Sequence, residues 1–143
     1  MIIYISGDPV GKERPRHDPR HPERRPHTPE KTKAYEEKVA WAWKQAGGSK
    51  LDGPVLMRIV WHHRIPKRTT KANRAAMLKS EIMPTTRPDL DNVCKSIMDG
   101  LNGVAYDDDS QIVSLTAIRR YAEEPGVFVE VDNERLHSDD MPR

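Results

Sequence analysis

Apolar residues recur along this chain with two different periods, and the changes of period mark its elements. Residues Met1 to Ser6 alternate β-branched and aromatic side chains and predict a first strand. Tyr35, Val39, Ala42 and Trp43 then recur at helical spacing, giving one buried stripe. That helix is expected to start at Thr28-Pro29, with Thr28 as cap, Pro29 in the first turn and Glu30 as an early acid. It should stop near Ala46, at Gly47-Gly48. Period two returns over Pro54 to His63, with Val55, Met57, Ile59 and Trp61 on one face. Thr70 to Ser80 is rich in Ala, Lys and Arg and predicts a short, basic, exposed helix. An extended connector, Met83 to Pro88, leads to a helix over Leu90 to Asn102, ended by Asn102-Gly103. Its buried stripe is Leu90, Val93, Ile97 and Leu101. Gln111 to Tyr121 and Gly126 to Val131 read as two strands of a hairpin turning near Glu123 to Gly126.

This order predicts an α/β protein of the α+β type, a mixed sheet covered by two or three helices. The 143 residues suit a single small domain, assigned to 1–132, with 133–143 expected to be a disordered tail. Gly7 to Pro29 carries almost no apolar residue and reads as a long loop, a form that often serves function. No apolar run approaches the ~20 residues that span a bilayer, and the N-terminus lacks the order of a signal peptide. Cys94, the single cysteine, excludes an intramolecular disulfide and suits a reducing cytoplasm. The six histidines show no paired spacing of a structural zinc site.

Net charge is only +2, yet it is partitioned. Gly53 to Ser80 holds seven Lys or Arg and no acid, whereas Asp89 to Asp109 holds six aspartates and one base, Lys95. A basic zone facing a polyanion and an acidic cluster holding a cation would account for this. Solvated faces that differ in sign would account for it too.

On the helix after Pro88, Asp91, Lys95 and Asp99 fall opposite the apolar stripe at i, i+4 and i+8. Asp89 and Asp91 stand at its first turn, where negative charge is favoured by ~0.3–1 kcal/mol per group. Asp107, Asp108 and Asp109 crowd the start of the following strand. A divalent cation would offset that crowding, since Mg²⁺ takes hard oxygen ligands and keeps several waters. Such a cation also serves phosphodiester hydrolysis. Capping and an exposed acidic turn form the competing account. Lys95 is either a surface partner of Asp91 or a cation set beside a phosphate; if Asp99 only decorates the helix, its replacement by Asn should be mild.

Arg87-Pro-Asp-x-Asp-Asn-x-x-Lys-x-x-x-Asp-x-Leu-Asn-Gly103, followed by Asp108-Asp-x-Gln111, resembles the central signature of the RusA family of Holliday junction resolvases. Gly7 with Lys12-Glu-Arg-Pro-Arg16 is similar to that family's basic N-terminal element, and Thr28-Pro-Glu-Lys-Thr-x-x-Tyr35 to its lead into the first helix. The pieces occur in order over residues 2–121. The resemblance implies a cytoplasmic, bacterial or phage-encoded homodimer that nicks two strands of a four-way DNA junction symmetrically in recombination and repair. It implies Mg²⁺ as cofactor, with Mn²⁺ able to substitute. Catalytic and metal-holding carboxylates map to Asp89, Asp91 and Asp109, and the catalytic lysine to Lys95. The acidic turn departs from the family pattern in having three aspartates, so that Asp107 or Asp108 could substitute for or assist Asp109.

Candidate DNA contacts are Lys12, Arg14, Arg16, Arg68, Lys71 and Arg74, and the histidines of the loop 16–27 are more simply solvated or phosphate-contacting than metal-binding. Trp41, Trp43 and Trp61 are candidates for aromatic surface at a dimer interface. Two other functions compete: a non-catalytic DNA-binding protein whose aspartates cap and turn, and a metal-dependent phosphatase for small substrates. The extended basic zone speaks against the second, because a small substrate needs no such surface.

Overall fold

The computed structural model describes residues 1–13, 18–25 and 28–133. Arg14 and Arg16, two of the expected DNA contacts, and the tail from 134 onward lie outside the described residues. Strand β1 (Ile2–Ser6) is followed by helix α1 (Glu30–Gln45), strand β2 (Val55–Arg64), and helices α2 (Lys71–Leu78) and α3 (Leu90–Leu101). A single 3-10 turn, Asp109–Gln111, introduces β3 (Ile112–Ala122), and β4 (Gly126–Asp132) completes the set. Every element expected from periodicity is present, with ends shifted by a residue or two. At α1 the cap position is Pro29 rather than Thr28, and no side chain caps the helix.

The four strands form one mixed sheet in the order β1-β4-β2-β3. β4 is antiparallel to both β1 and β2, while β3 runs parallel to β2. The expected hairpin is therefore absent. β3 and β4 follow each other in the chain, but β2 lies between them. The parallel β2–β3 pair needs a crossover, which α2 and α3 supply. The reason for this order is visible in burial. β4 is apolar at Val127, Val129 and Val131, all buried, and such a strand gains most in the middle of the sheet. β3 leaves Val113, Leu115 and Ile118 exposed, as an edge position allows.

Val55, Met57, Ile59 and Trp61 of β2 face the same side as Ile3, Ile5 and the β4 valines, and α1 and α3 close over them. α1 contributes Tyr35, Val39 and Trp43, and α3 contributes Val93, Cys94, Ile97 and Leu101. Where the helices meet, a Cβ on Gly100 would stand 2.8 Å from the Glu36 carbonyl oxygen and 2.9 Å from Val39 Cβ. Only glycine allows that approach. On the other face of the sheet Ile2, Tyr4, Ile118 and Phe128 remain exposed. Trp43 and Trp61 are buried in the core, so of the three tryptophans only Trp41 offers surface, at 62% exposed.

Candidate active site

The site is built on α3, and the residues before that helix are fixed from two sides. Arg119 of β3 lies over the Trp61 ring, 5.3 Å from its centroid. From there it donates to the carbonyls of Thr86 (2.8 Å) and Pro88 (3.0 Å). On the other side the segment Val10 to Lys12 runs along α3. Ser96 Oγ donates to the Val10 carbonyl (2.6 Å), and the Lys12 N–H donates to the Asn92 carbonyl (2.8 Å). Gly11 sits between them, where a Cβ would meet Pro88 Cβ at 3.1 Å and Asn92 Cβ at 3.3 Å.

Asp89 occupies the cap position of α3 in extended backbone, and its carbonyl accepts from the Val93 N–H at 3.1 Å. Its carboxylate caps nothing. Asp91 lies in the first turn. Both side chains are exposed, and neither accepts a hydrogen bond or joins an ion pair within the described residues. Capping therefore does not account for Asp89.

The three aspartates after Tyr106 have three different surroundings. Asp107 pairs with Lys50 at 2.8 Å on the surface. Asp108 caps the 3-10 turn, accepting from the Ser110 N–H at 3.2 Å, and Gln111 completes the capping box. Hydrogen bonding from the Ser110 side chain, and then from its backbone N–H, holds the Asp108 carboxyl below the usual carboxylate range. Asp109 turns toward α3 and meets Lys95 Nζ at 2.5 Å. Gln111, which the sequence pattern marked only as part of a motif, fastens the turn. Its carbonyl accepts from the N–H groups of Asp107 and Asp108, and its amide donates to the carbonyls of Leu51 and Gly53.

Lys95 also pairs with Asp99 at 3.0 Å, not with Asp91. Asp99 in turn meets Lys12 at 2.9 Å, and Lys12 meets Glu36 of α1 at 2.6 Å. Lys12, expected to touch phosphate, is engaged in two ion pairs inside the molecule. Asp99 does not merely decorate the helix: its side chain is only 17% exposed and is paired on both oxygens. Hydrogen bonds from Lys95 to Asp109 and then Asp99 raise the lysine's pKa, so it remains an ammonium at neutral pH. Lys12 is raised as well: burial opposes its charge, and the bonds to Glu36 and Asp99 outweigh that cost. Among the expected DNA contacts outside this region, Arg68 and Lys71 are exposed on or beside α2, and Arg74 pairs loosely with Glu123 at 3.5 Å.

Beside Asp89 lies an open pocket of about 370 Å³ whose lining includes Lys12, Lys31 and Arg87. Lys31 and Arg87 were not singled out from the sequence as DNA contacts, although both stand inside recognised motifs. Among the described residues no group of three or more His, Cys, Asp or Glu side chains is arranged to hold a metal ion, so Asp89, Asp91 and Asp109 are not gathered into one ready-made set. The donor chemistry nevertheless suits Mg²⁺, which is held by one or two carboxylates while keeping its waters. Among the described residues Asp89 and Asp91 are hard anions without a partner, while Asp109 is held by the Lys95 ammonium. A soft or imidazole-preferring ion finds no matching set here.

The family described as endodeoxyribonuclease RusA matches residues 6–132 of the chain. The uncharacterized protein YqaN of Bacillus subtilis (strain 168) is similar, 35% identical over 128 residues. That match covers 87% of this chain and 90% of the relative.

Proposed function

The chain belongs to the RusA endodeoxyribonuclease family, and from that premise we propose that it is a Mg²⁺-dependent enzyme that resolves four-way DNA junctions. The supporting observation is the pair of exposed carboxylates at the start of α3, Asp89 and Asp91, which have no hydrogen-bond or ion-pair partner among the described residues. Exposed charge of one sign facing a polyanion disfavours DNA binding unless a cation intervenes. In a protein that only bound DNA, these two positions would gain from being neutral or basic.

Asp89, Asp91 and Asp109 would hold the cation, and Asp108, already committed to capping, would contribute least. Bound there, Mg²⁺ or Mn²⁺ would polarise a phosphoryl oxygen and supply an activated water. Lys95, kept as an ammonium at neutral pH by its bonds to Asp109 and Asp99, contributes positive charge where charge builds on the phosphate, and cannot serve as a general base there. The pocket beside Asp89 gives the neighbouring backbone phosphates Lys31 and Arg87, while Arg68, Lys71 and Arg74 extend the basic surface. Two matched cuts in a two-fold junction call for a two-fold protein, so the working form is a homodimer. The same proposal places it in the cytoplasm, acting in recombination and repair.

The test is a nicking assay comparing four-way junction, duplex and single-stranded DNA, each with Mg²⁺ or with EDTA. Paired nicks confined to the junction and abolished by EDTA are expected. Equal cutting of duplex, or cutting in EDTA, would refute the reading.

A further inference from the structure

Helical side chains lean toward the helix N-terminus, and an acid four residues before a lysine makes the better pair. By both rules Lys95 should lean back onto Asp91. It does the opposite, reaching forward to Asp99 at 3.0 Å and across to Asp109 at 2.5 Å. Asp99 is itself in an unfavourable place, a carboxylate near the C-terminal end of α3, where the helix dipole repels it. It stays there because a second ammonium, Lys12 at 2.9 Å, lies against its other oxygen. Lys12 is in turn held by Glu36 at 2.6 Å and by its own N–H on the Asn92 carbonyl.

We propose that Asp99, braced by Lys12 and Glu36, is a positioning residue that draws Lys95 away from Asp91 and so keeps the Asp91 carboxylate free for the cation. This rests on the reading of Asp91 as a metal-holding residue. The network has two consequences. Lys95 is delivered to the Asp109 side of the site, where it adds positive charge without occupying the ligand at the helix start. The segment Val10 to Lys12, which leads into the basic N-terminal element, is tied to the same carboxylate, so loop and catalytic lysine are set by one group. Without Asp99, Lys95 would fall back to the favoured pairing with Asp91 and compete with the cation for it.

The experiment uses Asp99→Asn, Asp99→Glu and the double variant Asp99→Asn with Lys95→Met, all as full chains. Thermal unfolding first confirms that each is folded. A metal-free crystal structure of Asp99→Asn should show Lys95 Nζ within ion-pair distance of Asp91; Lys95 remaining on Asp109 alone overturns the proposal. Calorimetric titration with Mn²⁺ should show affinity reduced about 10-fold in Asp99→Asn. Asp99→Glu should recover part of it, and removing Lys95 in the Asn background should restore it. Unchanged affinity in Asp99→Asn, or no restoration by Lys95→Met, also overturns it. If the unaltered protein takes up no Mn²⁺, the metal reading of Asp91 fails, while the metal-free structure still decides whether Asp99 governs Lys95.

Discussion

Helices α2 and α3 leave the same β2–β3 crossover and could hardly be more different. α3 buries six of its twelve residues, and its polar side carries ion pairs to the N-terminal segment, where Lys12 in turn holds Glu36 of α1, and to the turn before β3. α2 buries none of its eight residues and is basic at Lys71 and Arg74. It is nevertheless a properly started helix, with the Thr70 hydroxyl accepting from the Asn73 N–H. The difference teaches how this molecule divides its work. Under the proposed function, charges that must be placed to within an ångström sit on an element locked by core packing. Charges that need only raise the local potential for a polyanion then sit on one that buries no side chain.

The strongest way to break this comparison is to neutralise the site on α3. Replacing Asp89, Asp91 or Asp109 by Asn should cut junction nicking by about 100-fold or more, since even outer partners of metal ligands cost 10–100-fold. Gel-shift affinity in EDTA should hold or rise, because one negative charge fewer faces the phosphates. Near-normal nicking in any of the three would remove that carboxylate from the site.

Next in size is the packing that makes α3 rigid. Gly100→Ala forces a methyl group against the Glu36 carbonyl and Val39. It should destabilise the fold by about 1–3 kcal/mol in urea unfolding. The displacement of α1 carries Glu36 with it, so nicking should also fall. A fully stable, fully active variant would show that the helices part freely.

On the other side of the comparison, Arg68, Lys71 and Arg74 changed together to Ala should leave stability within about 0.5 kcal/mol per site. The slope of log affinity against log salt should flatten by roughly 2 to 3. An unchanged slope would assign the DNA surface to other basic residues, with Lys31 and Arg87 next to be tested.

The smallest effect concerns Cys94, on the buried side of α3. Burial, with a further push from Asp91, raises its thiol to about 11. In the unfolded chain the thiol ionises near 9, so between pH 9 and 11 the folded state holds the extra proton. Stability from this group is therefore intact below pH 9 and declines as pH rises through that window. At neutral pH a thiol-reactive disulfide should label the folded protein far more slowly than the urea-unfolded one. Equal labelling would mean that α3 opens as readily as α2.

Which residues form helix and strand, and which face each buries, was legible in the chain alone. These properties depend on neighbours a few positions apart, and Val55 to Trp61 or Val93 to Leu101 show their period without reference to the rest of the chain. Legible too was the gathering of acids at the start of α3 and before β3, and the resemblance built on those residues agrees with the family to which the chain belongs. The strand order was not legible. Glu123 to Gly126 carries the turn residues of a hairpin, and only the gain from burying β4 between β1 and β2 decides that β3 and β4 do not pair. The roles within the acidic turn were equally hidden, because Asp107, Asp108 and Asp109 are chemically identical. Lys50, Ser110 and Lys95 tell them apart only once folding has brought these partners to the turn. Above all, the protein partner that helical spacing suggested for Lys95 was Asp91. The observed partner Asp109 is 14 positions away, and the segment bracing the site reaches α3 through a bond between residues 86 positions apart. Local periodicity cannot rank partners at such separations; packing decides which of them come within reach.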